Sequence, residues 1–179
     1  MRGLLLLVVL LVLLVGGLWY VFVKDAKVYD AIKDPKPEYG VVHLTKEESE
    51  QRLQAKYGFS VDDVRKNKVN FARLRDFKAK VEVADILHGH GLSQQAFQLY
   101  KKAAETGSAG EKTTYFYQNF ALVAYASKDK AVMTEAYNKA VELLKKQDSM
   151  GQAERDYQVE KLTRYQNARL EAFEAEGVN

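Results

Sequence analysis

His88, Gly89 and His90, with Asp85 one helical turn earlier, come closest in this chain to a ligand set for a metal ion. Two imidazoles and a carboxylate suit a zinc-like cation. A structural zinc site, however, needs four protein ligands, and there is no cysteine to complete one. His43 is the only other histidine. The same residues also read as a helix C-terminus, where an imidazole meets the dipole and glycine supplies positive φ. No metal or other cofactor is expected. Nucleophilic catalysis lacks its parts. No Gly-x-Ser-x-Gly elbow occurs, and Ser93, Ser108, Ser127 and Ser149 fall at turns or helix starts, where serine usually caps. Gly107-Ser108-Ala109-Gly110-Glu111-Lys112 is glycine-rich, but it follows a helical pattern and lacks the Gly-Lys-Ser/Thr order of a phosphate loop. Acids are scattered along helices and mark no catalytic pair. These residues do not predict an enzyme.

The elements that position them begin with the overall composition. The chain has 179 residues, 47% hydrophobic and 28% charged, with two prolines and no cysteine. That fits one compact domain with an appendage and excludes collagen-like, low-complexity and disulfide-stapled classes. Net charge is +3, and residues 24–179 hold all but one of the 27 basic side chains against 24 acids. So even a balance argues against nucleic acid as a partner.

The appendage is Leu4 to Val23, twenty residues without a charge. A helix of that length spans roughly 30 Å, the hydrocarbon thickness of a bilayer. Trp19 and Tyr20 sit where amphipathic rings favour the headgroup boundary, and Lys24 closes the run. Residues 1–23 are therefore predicted to be a transmembrane signal-anchor that makes this a single-pass membrane protein. The alternative is a cleaved signal peptide, with Val15-Gly16-Gly17 as a small-residue cleavage site removing residues 1–17. Lysines after the run favour a cytoplasmic domain, while the lack of cysteine also suits an extracytoplasmic one, so the side stays open.

Residues 24–44 read as a linker, extended at Asp34-Pro35-Lys36-Pro37. Residues 45–179 read as an all-α domain. Thr45 with Glu48 forms a capping-box pattern for a short helix that Gly58 stops near Tyr57. Ser60 caps a second start, and Val64, Phe71, Leu74, Phe77, Val81 and Ala84 keep helical spacing to about His88. Period-two alternation is absent throughout.

A repeat organises the rest. Ala96-Phe97-Gln98-Leu99-Tyr100-Lys101-Lys102-Ala103 recurs as Met133-Thr134-Glu135-Ala136-Tyr137-Asn138-Lys139-Ala140, 37 residues later. Upstream, Val83-Ala84 and Phe120-Ala121 keep the same distance from their tyrosines. Small residues let two antiparallel helices approach, and the tyrosine fills the space between neighbouring hairpins. Residues 88–91 and 127–129 supply the turns. The pattern resembles the tetratricopeptide repeat, with units at about 77–110 and 114–147. Val83, Ala84, Leu87, Gly91, Ala96, Tyr100 and Ala103 hold the signature positions of the first unit. Tyr117, Phe120, Ala121, Ala124, Met133, Tyr137 and Ala140 hold those of the second. Lys80 stands where that family prefers a large aromatic, Met133 where it prefers a small residue, and neither unit ends in proline. Two repeats are fewer than a stable stack usually needs, so flanking helices over 60–77 and 151–176 are expected to cover the ends.

The resemblance implies a concave groove that takes a protein or peptide partner. Tyr115, Gln118, Leu122 and Tyr125 would face it, joined by Lys78, Val81 and Asp85. Tyr115 and Tyr125 are close to three turns apart and share a helix face; burial of both rings between helices is the alternative. Asn119 matches an asparagine that members of the family use to hold a terminal carboxylate, but Glu82 replaces its counterpart in the first unit. The expected function is a membrane-anchored scaffold or assembly protein that holds a partner near the membrane. A second reading comes from Arg65, Lys66, Lys68, Arg73, Arg75, Lys78 and Lys80. On one helix they would cover more than half its circumference, forming either a solvated face or a contact to anionic lipid or another polyanion.

Overall fold

The computed structural model describes residues 44–177, and every regular element among them is helical. The apolar run 4–23 and the linker as far as His43 lie outside the described residues, and the anchor expectation lies there with them. No helix among the described residues is long and apolar enough to cross a membrane.

Helix α1 (Lys46–Tyr57) starts at the expected capping box. The Glu48 N–H donates to Thr45 Oγ1 at 3.1 Å and the Thr45 N–H to Glu48 Oε2 at 2.7 Å. Gly58, at φ 74°, ends the helix in a left-handed turn. A second box, Ser60 with Asp63, opens α2 (Val61–Arg65). The chain then departs from expectation. No helix runs on from Ser60 to His88. Asn67 turns left-handed at φ 54°, Asn70 caps a single 3-10 turn (Phe71–Arg73), and Asp76 starts a new helix through the Ala79 N–H at 2.7 Å. The side chains of Asn70 and Asp76 offer the backbone an alternative to helix, and at these positions it prevails. The helical spacing of Val64 and Leu74 instead serves one buried residue of α2 and one of the loop.

Helices α3 (Phe77–Gly89) and α4 (Ser93–Thr106) form an antiparallel hairpin. His88 Nδ1 meets Ser93 Oγ at 3.1 Å across its turn, where Gly91 takes φ 79°. At the open end Lys80 Nζ donates to Thr106 Oγ1 at 2.9 Å. Helices α5 (Thr114–Ala126) and α6 (Lys130–Lys145) form a second hairpin, with Asp129 capping α6 through the Val132 N–H. Helix α7 (Gln152–Ala175) returns antiparallel along α6, held by Lys128–Glu176 at one end and Gln166–Asn138 in the middle. The expected cover at the C-terminal end is therefore present. At the other end only the start of the expected 60–77 helix forms, as α2, and α1 joins it in burying Leu53, Val61 and Val64.

The 37-residue sequence repeat is also a repeat of burial. Val83 and Phe120, Ala84 and Ala121, Leu87 and Ala124, Ala96 and Met133, Tyr100 and Tyr137, and Ala103 and Ala140 are all buried. Alanines where helices meet permit close approach, and the two tyrosines fill the gaps that remain. Gly107 shows how tight the packing is. Its φ of −73° suits any residue, yet an added Cβ would sit 2.4 Å from the Phe77 ring. Gly107→Ala should cost about 1–3 kcal/mol by overpacking. Unfolding in urea measures it, and a wild-type midpoint would show that the Phe77 ring moves aside freely.

Candidate functional site

Helix α5 presents Tyr115, Gln118, Leu122 and Tyr125, all half-buried. They do not stand in equivalent surroundings. Tyr115 and Leu122 lie outside the packed core, whereas Tyr125 packs against it. The Tyr125 ring meets Phe173 of α7 edge-on at 5.1 Å, with Lys128 and Arg169 over its faces at 5.6 and 5.5 Å. The expectation of Tyr125 as a groove anchor paired with Tyr115 is thus corrected for one ring of the two. Phe173 at α7 covers the lower part of that helix face. Lys78 is exposed at the start of α3; Glu111 is held below its usual range by hydrogen bonds from the Ser108 N–H and hydroxyl first, and by the Lys78 charge to a smaller extent.

Asp85 and Asn119 also prove to be engaged. Asn119 Nδ2 donates to Asp85 Oδ1 at 3.2 Å, and the Tyr100 hydroxyl donates to the same oxygen. The three groups tie α3, α4 and α5 together at the first hairpin interface. Burial is the main force on the Asp85 carboxyl and pushes it up to about 6; the bonds from Tyr100 and Asn119 act against it, and the Glu82 charge adds to it. Burial and the Asp85 charge raise Tyr100 well above the usual tyrosine value. Tyr115 rises for the same two reasons, burial first. Asp85 Oδ1 and Asn119 Nδ2 are thus taken up by contacts within the domain. Nothing in the sequence pattern singles out this network, because a polar residue on α3 reads as groove-facing until the tyrosine of α4 is placed beneath it.

Glu82, where the first unit lacks the expected asparagine, is taken up by α1. It accepts from Arg52, from Lys56 Nζ at 2.6 Å and from the Tyr57 hydroxyl at 2.8 Å. These bonds hold Glu82 below its usual range despite partial burial, and Tyr57 is pushed up to about 12, by burial first and by Glu82 second. The imidazoles go separate ways. His90 Nε2 pairs with Ser49 Oγ at 2.8 Å, His88 with Ser93, and Asp85 with neither. Burial lowers His88 below the usual histidine value. Among the described residues no three His, Asp or Glu side chains gather as a metal site would require.

The basic run is not one helical face. It is spread over α2, the loop, the 3-10 turn and the first turns of α3. Lys80 leaves it altogether: it is buried, and its ammonium donates to the Arg75 carbonyl and to Thr106 Oγ1, both at 2.9 Å. Where the tetratricopeptide pattern prefers an aromatic ring, a lysine stem and two hydrogen bonds close the open end of the hairpin. Comparison with protein families, with curated proteins and with solved structures gives no match to this chain.

Proposed function

We propose that residues 44–177 are a tetratricopeptide-like docking domain without catalytic work, and that residues 4–23 anchor it in a membrane. The domain holds a protein or peptide partner against the face of α5 that carries Tyr115, Gln118 and Leu122. One observation carries this reading. Tyr115 and Leu122 are two turns apart on one helix, half-buried and outside the packed core, Tyr115 with its hydroxyl toward Asn119, while the tyrosine and phenylalanines around them are absorbed in packing. Half-exposed rings and branched side chains beside an amide are suited to receive an apolar side chain and the backbone of a docked segment. Lys78 and Gln118 supply the polar margin, whereas Tyr125, Asp85 and Asn119 support the face from within.

Site-specific photocrosslinking in native membranes tests both halves of the proposal. Full-length protein should stay with carbonate-washed membranes. Benzoylphenylalanine at position 115 or 122 should give one discrete adduct, and the same group at Lys146 none. Tyr115→Ala with Leu122→Ala should weaken capture of that partner by about tenfold or more, as expected for interface anchors, and leave the unfolding midpoint nearly unchanged. Release of the chain by carbonate removes the anchor. Adducts that are the same at 115, 122 and 146, or none at 115 and 122, remove the docking face.

A further inference from the structure

The loop that breaks the expected helix builds a cleft of its own. It has a volume of about 340 Å³ and lies between the end of α1 and the 3-10 turn, with Tyr57, Phe59, Asp63, Lys68, Asn70 and Arg73 among its walls. That volume is within the range of small-molecule sites, roughly 300–1,000 Å³. One wall is aromatic: Tyr57 and Phe59 stand 6.2 Å apart, and Phe59 meets Phe71 edge-on at 6.0 Å. Tyr57 is fixed by its hydroxyl bond to Glu82, so this wall does not depend on a ligand for its position.

What distinguishes the cleft is that two basic side chains without a carboxylate partner line the same concavity. Many basic side chains of the domain hold a carboxylate: Arg52 and Lys56 share Glu82, Arg65 holds Asp62, Lys128 Glu176, Lys139 Glu135 and Lys146 Glu142. Lys68 and Arg73 make no ion pair and no side-chain hydrogen bond among the described residues. Asp63 is the one acid in the walls, and it is turned into its own helix cap. Its Oδ2 accepts from the Ser60 N–H at 2.9 Å and from the Ser60 hydroxyl at 2.7 Å. These Ser60 bonds are the main reason Asp63 is held below its usual range, with the Lys68 and Lys66 charges adding less. An ammonium and a guanidinium therefore face one concavity with a single spent carboxylate between them.

We propose that this cleft is a binding site for a phosphate ester. Lys68 and Arg73 take the phosphate oxygens, Arg73 through its planar fork and Lys68 as a point charge, and the Tyr57–Phe59 wall takes the carbon skeleton of the ester. Asn70 Oδ1 is held by the Ala72 N–H, which leaves the Asn70 Nδ2 group as a further donor at the cleft wall. The phosphate comes either from the headgroup of an anionic phospholipid or from a soluble ester. The site is separate from the α5 face, and its test does not depend on the docking function.

Lysine acetylation read by mass spectrometry, on the full chain in nanodiscs, tests the site. Neutral phosphatidylcholine discs give the baseline. One arm adds phosphatidylglycerol to the discs, and another adds millimolar glycerol 1-phosphate to neutral discs. Lys68 is expected to be protected several-fold in at least one arm, while Lys101 and Lys146 react as before. Arg73→Gln, an exposed position, should abolish that protection with the helical circular dichroism unchanged. Protection by phosphatidylglycerol alone assigns the site to a lipid headgroup, and protection by glycerol 1-phosphate assigns it to a soluble ester. No protection in either arm overturns the proposal. So does equal protection of all three lysines, which is diffuse attraction to charge, and so does protection of Lys68 that survives Arg73→Gln.

Discussion

Tyr100→Ala is expected to destabilise the helical domain by about 3–5 kcal/mol, a large share of the roughly 5–15 kcal/mol that holds an ordinary domain folded. The ring is fully buried, stacked on Phe120 at 5.6 Å and tilted against Phe116 at 5.4 Å. Its removal leaves a void where α3, α4 and α5 meet. It also strips Asp85 of one of its two hydrogen-bond donors, and a buried carboxylate left under-bonded adds to the cost. Tyr100→Phe separates these effects. It keeps the ring, loses only the hydroxyl, and should cost about 1–3 kcal/mol. Tyr137 is the internal control. It holds the same place in the second unit, but Leu122 stands where Asp85 stands in the first, and what lies over its ring is Arg169 at 5.7 Å. Tyr137→Phe should therefore cost clearly less than Tyr100→Phe. Urea unfolding followed by far-ultraviolet circular dichroism ranks the four proteins, and equal losses for the two phenylalanine variants would show that the Asp85 bond contributes nothing.

That contrast also shows how far the sequence could be read. Helix starts at Thr45 and Ser60 were legible because a capping box is a local device, complete within four residues. The stacked hairpins were legible because alanines and tyrosines recur at a fixed interval, and burial follows the same interval. The break after Arg65 was hidden. Apolar residues at helical spacing also suit a loop that folds back on the core, and only Asn67 and Asn70 hinted at the turn. That Tyr115, Gln118 and Leu122 share one helix was legible from the unbroken apolar pattern of that segment. The state of Asp85, Asn119 and Tyr125 was not legible. Each is decided by a side chain on another helix, namely Tyr100 for the first two and Phe173 for the third. The cleft is hidden in the sequence for the same reason as the break, because helical spacing spreads the basic run along a helix that does not form.

Asp85→Asn is expected to stabilise the domain at neutral pH by about 2–3 kcal/mol, because a unit of pKa shift corresponds to about 1.4 kcal/mol. The carboxyl moves from an ordinary 3.8 to about 6 in the fold, mainly through burial between the hairpins, with the nearby Glu82 charge adding to the rise. A folded-state pKa above the unfolded value means that the folded chain holds this proton more tightly. The stability tied to that proton is fully present below about pH 4 and is lost as pH rises through about 6. At pH 7 the wild type therefore keeps an ionised carboxylate in its interface at a cost that asparagine avoids, while the Oδ1 that accepts from Tyr100 and Asn119 remains. Other acids act in the opposite sense. Asp63, Glu82, Glu111 and Glu142 are all held below their usual range, so what they contribute is lost on acidification. The wild-type profile mixes both signs, and only the difference between the two proteins isolates Asp85. Urea unfolding across this range should give a difference near zero at about pH 4 that grows to its full value above about pH 6. A difference that is constant with pH would assign the effect to packing and leave the interface without a titrating carboxylate.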